Sequence, residues 1–299
     1  MSYDLYFNPR GGVLDDERVA AYFRGRSNYE VDLPEIHYSN ADTGVYFHFT
    51  LHDAEEQDAE LDEDATKYAA MFNINFYRPS YFILEAEPEV TAFVKAFDLT
   101  ISDPQIDGIG DGEYDPAKLV SGWNTGNEFA YRALLSGEDA PTDVASLPRA
   151  RLEAIWRWNF ERARLQERLG ERVFVPLKML LRVDGSVCAV SAWPDAIPIA
   201  TTAVDHFVVG REEFAPRKLL FRRKDSTFVA WQTALPWLEK YRSREHPDPF
   251  VLDYAETPGD LGKFVESLPV VAPQVEGIPF DQILDREWVD QHWSKRDAG

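Results

Sequence analysis

Asp184-Gly185 separates two largely apolar runs, Val173–Val183 and Ser186–Trp193, with nothing else between them. Asp-Gly supplies the positive φ angles of a tight hairpin turn, so the flanking runs are expected to pair antiparallel. A two-residue return is open only to antiparallel strands, because parallel ones need a crossover of about a dozen residues or more. Strands near Ile197–Ala200, Val204–Val209 and Phe228–Gln232 are expected to extend the same sheet. Pro236–Arg242, Pro258–Ser267 and Pro279–Trp293 each carry a proline early and are expected to close the chain as helices.

The same logic runs through the N-terminal third. Tyr3 to Asn8 alternates as a strand, and Asp15-Asp16-Glu17 opens a helix to Arg24 whose acidic start suits the helix dipole. Ile36–Ser39 and Gly44–Leu51 flank a turn at Asn40-Ala41-Asp42. Ala69–Tyr77 and Tyr81–Glu85 read as a further antiparallel pair broken by Arg78-Pro79-Ser80. Pro88 then opens a short helix to Phe97, and Leu99–Ser102 forms a last strand. Helices over Pro116–Leu135 and Pro148–Leu169 follow. No regular βαβ rhythm and no fixed-period repeat is present. The expected class is α+β: mostly antiparallel sheets with flanking helices, in two packed units. The expected division is an acidic α+β unit over 1–115, bridging helices over 116–172, and a second α+β unit with an antiparallel sheet and C-terminal helices over 173–299.

Charge is segregated along this chain. The formal net charge is −21, yet residues 1–146 hold 29 Asp and Glu against 9 Lys and Arg, and residues 147–299 hold 23 against 22. Hydrophobic residues at 44%, with aromatics at 13%, still suffice for substantial cores, so the acidity does not imply disorder. A field of this sign repels nucleic acid and anionic lipid and attracts basic surfaces. Cys188 is the sole cysteine, which rules out an intramolecular disulfide. The first residues show no basic, then apolar, leader, and no apolar run approaches the roughly 20 residues of a membrane span. A cytoplasmic protein without membrane contact is expected.

The densest acidic segment contains Glu55, Glu56, Asp58, Glu60, Asp62, Glu63 and Asp64. A solvated, solubilising loop is the ordinary fate of such a block; docking onto a Lys- and Arg-rich partner is its functional reading. Asp103, Asp107, Asp111, Glu113 and Asp115 resemble an oxygen-rich cation loop. An EF-hand starting at Asp111 would need Gly and Glu where Pro116 and Gly122 stand, so a structured acidic turn is expected instead. His48 and His52 lie about 13 Å apart if both sit on one strand, too far to share a zinc ion. Asp205 and His206, as strand neighbours, point to opposite faces. Cys188 falls in an apolar strand as a buried thiol. No metal and no cofactor is expected.

Gly122 and Gly126 share a helix face, and Gly inside a helix costs about 1 kcal/mol relative to Ala. Close packing of this helix is the first explanation. A crevice presenting Trp123, Asn124 and Asn127 is the functional one. Arginines line the second long helix from Arg149 to Arg172, and a basic stretch runs from Arg211 to Lys224; pairing with acidic residues of the same chain is expected of both.

These features point to a non-enzymatic binding protein whose acidic N-terminal half captures a basic protein partner. Immunity proteins that neutralise cationic toxins have this charge profile. The alternative is a small-molecule enzyme with its site in a crevice between the two units. The charge distribution predicts no retardation of mixed-sequence DNA or RNA in an electrophoretic shift assay at physiological salt. Tight, salt-sensitive binding there would contradict it.

Overall fold

The computed structural model describes residues 1–52, 68–105, 108–215, 217–218, 221–222, 224–245 and 249–293. In chain order the elements are β1 (Ser2–Pro9), α1 (Asp16–Arg24), β2 (Tyr29–Asp32), β3 (Glu35–Ser39), β4 (Tyr46–Leu51), β5 (Ala70–Asn75), α2 (Tyr81–Phe97), β6 (Leu99–Ser102), α3 (Pro116–Ser136), β7 (Ser146–Leu147) and α4 (Arg149–Leu169). Then come β8 (Lys178–Val183), β9 (Ser186–Ala192), β10 (Ala200–Thr201), β11 (His206–Arg211), β12 (Arg217–Lys218), β13 (Phe221–Arg222) and β14 (Asp225–Ala230). The last elements are α5 (Trp231–Lys240), β15 (Phe250–Val251), α6 (Gly259–Ser267), β16 (Val275–Gly277), β17 (Leu284–Asp285) and α7 (Arg286–His292). The class is α+β with mostly antiparallel sheets.

Two compact units form: Met1–Glu153 with Phe280–Gly299, and Ala154–Pro279. The division falls inside α4, and α3 lies wholly in the first unit. It sharpens the charge segregation. The first unit contains 35 Asp and Glu against 14 Lys and Arg, a net of −21, and the second contains 17 against 17, a net of zero.

The first unit is built on a six-stranded sheet of order β2-β3-β4-β5-β1-β6, antiparallel throughout. Period-2 alternation buries Tyr3, Leu5 and Phe7 of β1, Phe47 and Phe49 of β4, and Phe72 and Ile74 of β5 on one face. Helices α1, with Val19 and Phe23, and α2, with Val90 and Phe93, supply the other side of this core. Phe49 is central, its ring centroid 5.0–6.4 Å from those of Phe7, Phe23, Phe47, Phe72 and Phe93. Full burial of one such side chain contributes about 1.5–3 kcal/mol. Asp15 caps α1 by accepting from Arg18 N at 2.7 Å, and Asp115 caps α3 by accepting from Ala117 N at 2.9 Å.

The second unit carries a five-stranded sheet, β14-β11-β9-β8-β16. Its β8–β9 hairpin turns at Asp184 and Gly185, both at positive φ, as the sequence predicts. Cys188 is buried beside Val183 and Val190. Arg211 is buried, its Nε and Nη2 donating to Asp225 at 2.8 and 3.1 Å and its Nη1 to the carbonyls of Val265 and Leu268 at the end of α6. Arg172 pairs with Asp253 at 2.7 Å, and Lys224 with Glu212.

Four expectations are corrected. Tyr81–Glu85 is not a strand but the first turns of α2, where Tyr81, Phe82, Ile83, Glu85 and Ala86 are all buried. A helix buried on nearly every side shows the unbroken apolar run of a buried strand, so periodicity cannot separate them. Pro88 and Pro236 lie inside α2 and α5 rather than opening helices, and α5 begins at Trp231, which cuts the expected Phe228–Gln232 strand at Ala230. Ala200–Thr201 leaves the large sheet and pairs with Phe250–Val251. Pro279–Trp293 is not one helix but a 3-10 turn at Phe280–Gln282, then β17, which pairs parallel with β7, then the short α7.

Asp285, fully buried, anchors that C-terminal segment in the first unit. Its carboxylate accepts from Ser80 N at 2.9 Å and Ser80 Oγ at 3.0 Å, with Arg149 Nε at 3.5 Å, while its own N–H donates to Tyr131 Oη at 3.1 Å. Burial pushes its pKa above the ordinary aspartate value, against the opposing pull of Arg149 and the Ser80 donors. A raised folded-state value means that the stability from protonation is full below about pH 3.9 and is lost as pH rises through the elevated value. Asp285→Asn should therefore be destabilised most relative to the parent in acid, with the gap narrowing toward neutrality. Urea titrations from about pH 3.5 to 7 measure that gap; a gap that widens with pH would contradict the assignment.

Candidate partner-binding surface

None of the six strands in the first unit's large sheet contains a lysine or an arginine. Their inward positions are apolar, so every charge they carry points away from the core and is negative, apart from histidine. Strand register sets these outward residues in rows. One row runs Glu30, His37, His48, Asn73, Asp4 across β2, β3, β4, β5 and β1. The next runs Asp32, Glu35, Thr50, Met71, Tyr6, Ser102, reaching β6. These positions are half-buried or exposed, whereas their neighbours along β1, β3, β4, β5 and β6 are buried.

The rows are internally ordered. His37 Nε2 lies 2.8 Å from Glu35 Oε2, and the His37 and His48 rings stand 5.7 Å apart. Asn73 Nδ2 donates to Asp4 Oδ1 at 2.5 Å. Tyr6 and Tyr68 pack with ring centroids 4.9 Å apart, and Tyr68 Oη donates to Ser102 Oγ at 3.0 Å. Burial lowers the His48 pKa, helped by His37 and opposed by Glu35 and Asp4. At neutral pH the face therefore offers carboxylates, phenols and amides, the acceptors that guanidinium and ammonium groups require, with Tyr6, Tyr68 and Met71 to cover their aliphatic stems.

The acidic run Glu55, Glu56, Asp58, Glu60, Asp62, Glu63 and Asp64 lies outside the described residues. Asp107 of the 103–115 segment lies outside the described residues; Asp103 accepts from Gln105 N at 3.0 Å and Ile109 N at 2.7 Å and from the Tyr3 hydroxyl, whose pKa is raised by burial and by this carboxylate. Among the described residues no group of three His, Cys, Asp or Glu side chains is placed to hold a metal ion. His52 stands just past the end of β4, and the cross-strand neighbour of His48 is His37.

The turn at Asn40-Ala41-Asp42 brings β3 and β4 together, but that pairing also needs the register across the turn, which the turn residues alone do not fix. The outward direction of Asp4, Glu35 and His37 is different: the alternation that assigns the core assigns these three to the opposite face, and local sequence alone carries that signal.

Trp123 and Asn127 are fully buried on α3. Asn127 Oδ1 accepts from Tyr77 N at 2.6 Å and Arg78 N at 3.2 Å, and its Nδ2 donates to Arg78 O at 2.7 Å. Asn124 Nδ2 donates back to Val120 O at 2.8 Å, within its own helix. Against protein families, curated proteins and solved structures, the chain gives no match. Removing Asn127 takes its acceptor from two part-buried backbone N–H groups, those of Tyr77 and Arg78, each costing about 1–3 kcal/mol, while Arg78 O keeps the Tyr131 hydroxyl as a donor. Asn127→Ala should thus lose about 2 kcal/mol or more by chemical denaturation, and Asn124→Ala less than about 1. Equal losses would contradict the role given to Asn127.

Proposed function

We propose that this protein is a non-enzymatic cytoplasmic binding protein whose acidic N-terminal unit captures a basic protein partner on the outer face of its six-stranded sheet. The observation that carries this reading is the absence of Lys and Arg from all six strands, within a unit whose net charge is −21. Four carboxylates on that face, Asp4, Glu30, Asp32 and Glu35, within a strongly acidic unit lengthen the reach of attraction for a cationic surface and act chiefly on encounter rate. The acidic run between β4 and β5 in the sequence adds seven carboxylates to the same unit. A toxin of cationic character, held inactive by an immunity protein, is one pairing with this charge profile.

The test begins with capture from the native organism at low salt and elution at high salt, followed by association kinetics with the eluted protein. Replacing Asp4 by Asn and Glu30 and Glu35 by Gln should slow association about tenfold at low salt and flatten its salt dependence. The same substitutions of the seven carboxylates in the acidic run measure that segment separately. Retention of no basic protein, or an unchanged rate and salt slope in the strand variant, would overturn the reading.

A further inference from the structure

A cavity of about 600 Å³ opens within the first unit against the middle of α3, a volume in the range of small-molecule sites. Its walls are mostly apolar. Gly122 and Gly126 present bare helix backbone, and Phe76 and Phe129 provide rings. Gly126 is required for this shape, since a Cβ there would lie 2.3 Å from Phe76 Cζ. Phe129 is 55% exposed and forms part of the cavity rim.

Three ionisable side chains also line the cavity: Glu128, Arg132 and His292. Glu128 and Arg132 stand four residues apart on α3, the spacing at which an ion pair ordinarily forms. Instead Glu128 Oε1 faces His292 Nε2 at 3.5 Å, and the Arg132 guanidinium sits 5.1 Å from the Phe129 ring centroid. Among the described residues Arg132 has no carboxylate partner. Arg132 is exposed, and what sets it apart from Arg18, which also stacks on a ring, is its place at the apolar cavity, where its planar fork of donors would face a bound molecule.

We infer that this cavity binds a small apolar carboxylate, an aryl or branched aliphatic acid, with its body against Gly122, Gly126 and Phe76 and its carboxylate on Arg132. Arg132 is the specificity-determining residue: a bidentate guanidinium–carboxylate pair is directional and about twice as strong as a neutral hydrogen bond. Phe129 shields that pair from water on one side. A neutral amide of the same shape keeps the apolar contacts and loses the charge-assisted pair. None of these residues lies on the outward rows of the sheet, so the inference does not rest on the basic-partner reading.

Isothermal titration calorimetry with 2-naphthoate and with 2-naphthamide tests it on the intact protein. The expected result is saturable 1:1 binding of 2-naphthoate, with 2-naphthamide at least about tenfold weaker. Arg132→Gln should bring naphthoate down to the naphthamide level, and Thr125→Phe, which fills the cavity from an exposed helix position, should weaken both. No saturable binding to the parent protein, equal affinity for acid and amide, or an Arg132→Gln variant that keeps the preference would each overturn the inference.

Discussion

The first unit depends on one constraint: its sheet is buried on one face only. The aromatic cluster around Phe49 fixes α1 and α2 against the inward side, and the two-residue period of the strands then sends every other side chain outward. Register is locked by this pattern, because a one-residue slip would expose Phe47, Phe49 and Phe72 together. The outward residues are released from packing demands by the same pattern. Their composition, polar and acidic without lysine or arginine, is therefore a property of the surface and not of the core.

Not all acidity in this unit belongs to that surface. Glu85 is buried on α2, and its Oε1 accepts from Tyr38 Oη and Asn40 Nδ2 at 2.8 Å and from Thr43 Oγ1 at 3.1 Å, which ties the helix to the β3–β4 hairpin. Glu89 accepts from Arg26 Nη2 at 2.5 Å and Tyr29 Oη at 2.9 Å. Asp103 organises its loop, and Asp285 holds the C-terminal segment. These carboxylates have saturated, local partners and cannot also serve an external cation without breaking the fold. Asp4, Glu30 and Glu35 differ: they stand on the sheet surface, where a partner can reach them.

Much of the architecture is legible in the sequence because it rests on local chemistry. Asp184-Gly185 dictates its hairpin, Asp15 and Asp115 mark helix starts, and alternation marks β1, β3 and β4. Errors gather where local signals are ambiguous. Pro88 and Pro236 look like first-turn residues, yet tertiary packing holds both within helices. The 81–86 run is apolar on nearly all sides, so only its length distinguishes helix from strand. For the site, charge segregation is visible along the chain; the pairing of His37 with His48 needs the register across the β3–β4 hairpin, and that of Asp4 with Asn73 needs the neighbouring of β1 and β5, which no local pattern encodes. Trp123 and Asn127 are conspicuous by composition; the fold uses the first as core and the second as a clamp on the Tyr77–Arg78 backbone. The cavity on the same helix is formed instead around Gly122, Gly126 and Phe129.

Whether the outer face of the sheet is the docking surface can be read by carboxyl-specific covalent labelling of the free protein and of its complex with the captured basic partner. Mass spectrometry would compare modification at Asp4, Glu30 and Glu35 with that at the buried Glu85 and Asp285, which should stay unlabelled in both states. Asp4, Glu30 and Glu35 should lose labelling on complex formation. Unchanged labelling at all three in a saturated complex, with protection confined to carboxylates of the second unit, would contradict a docking role for this face.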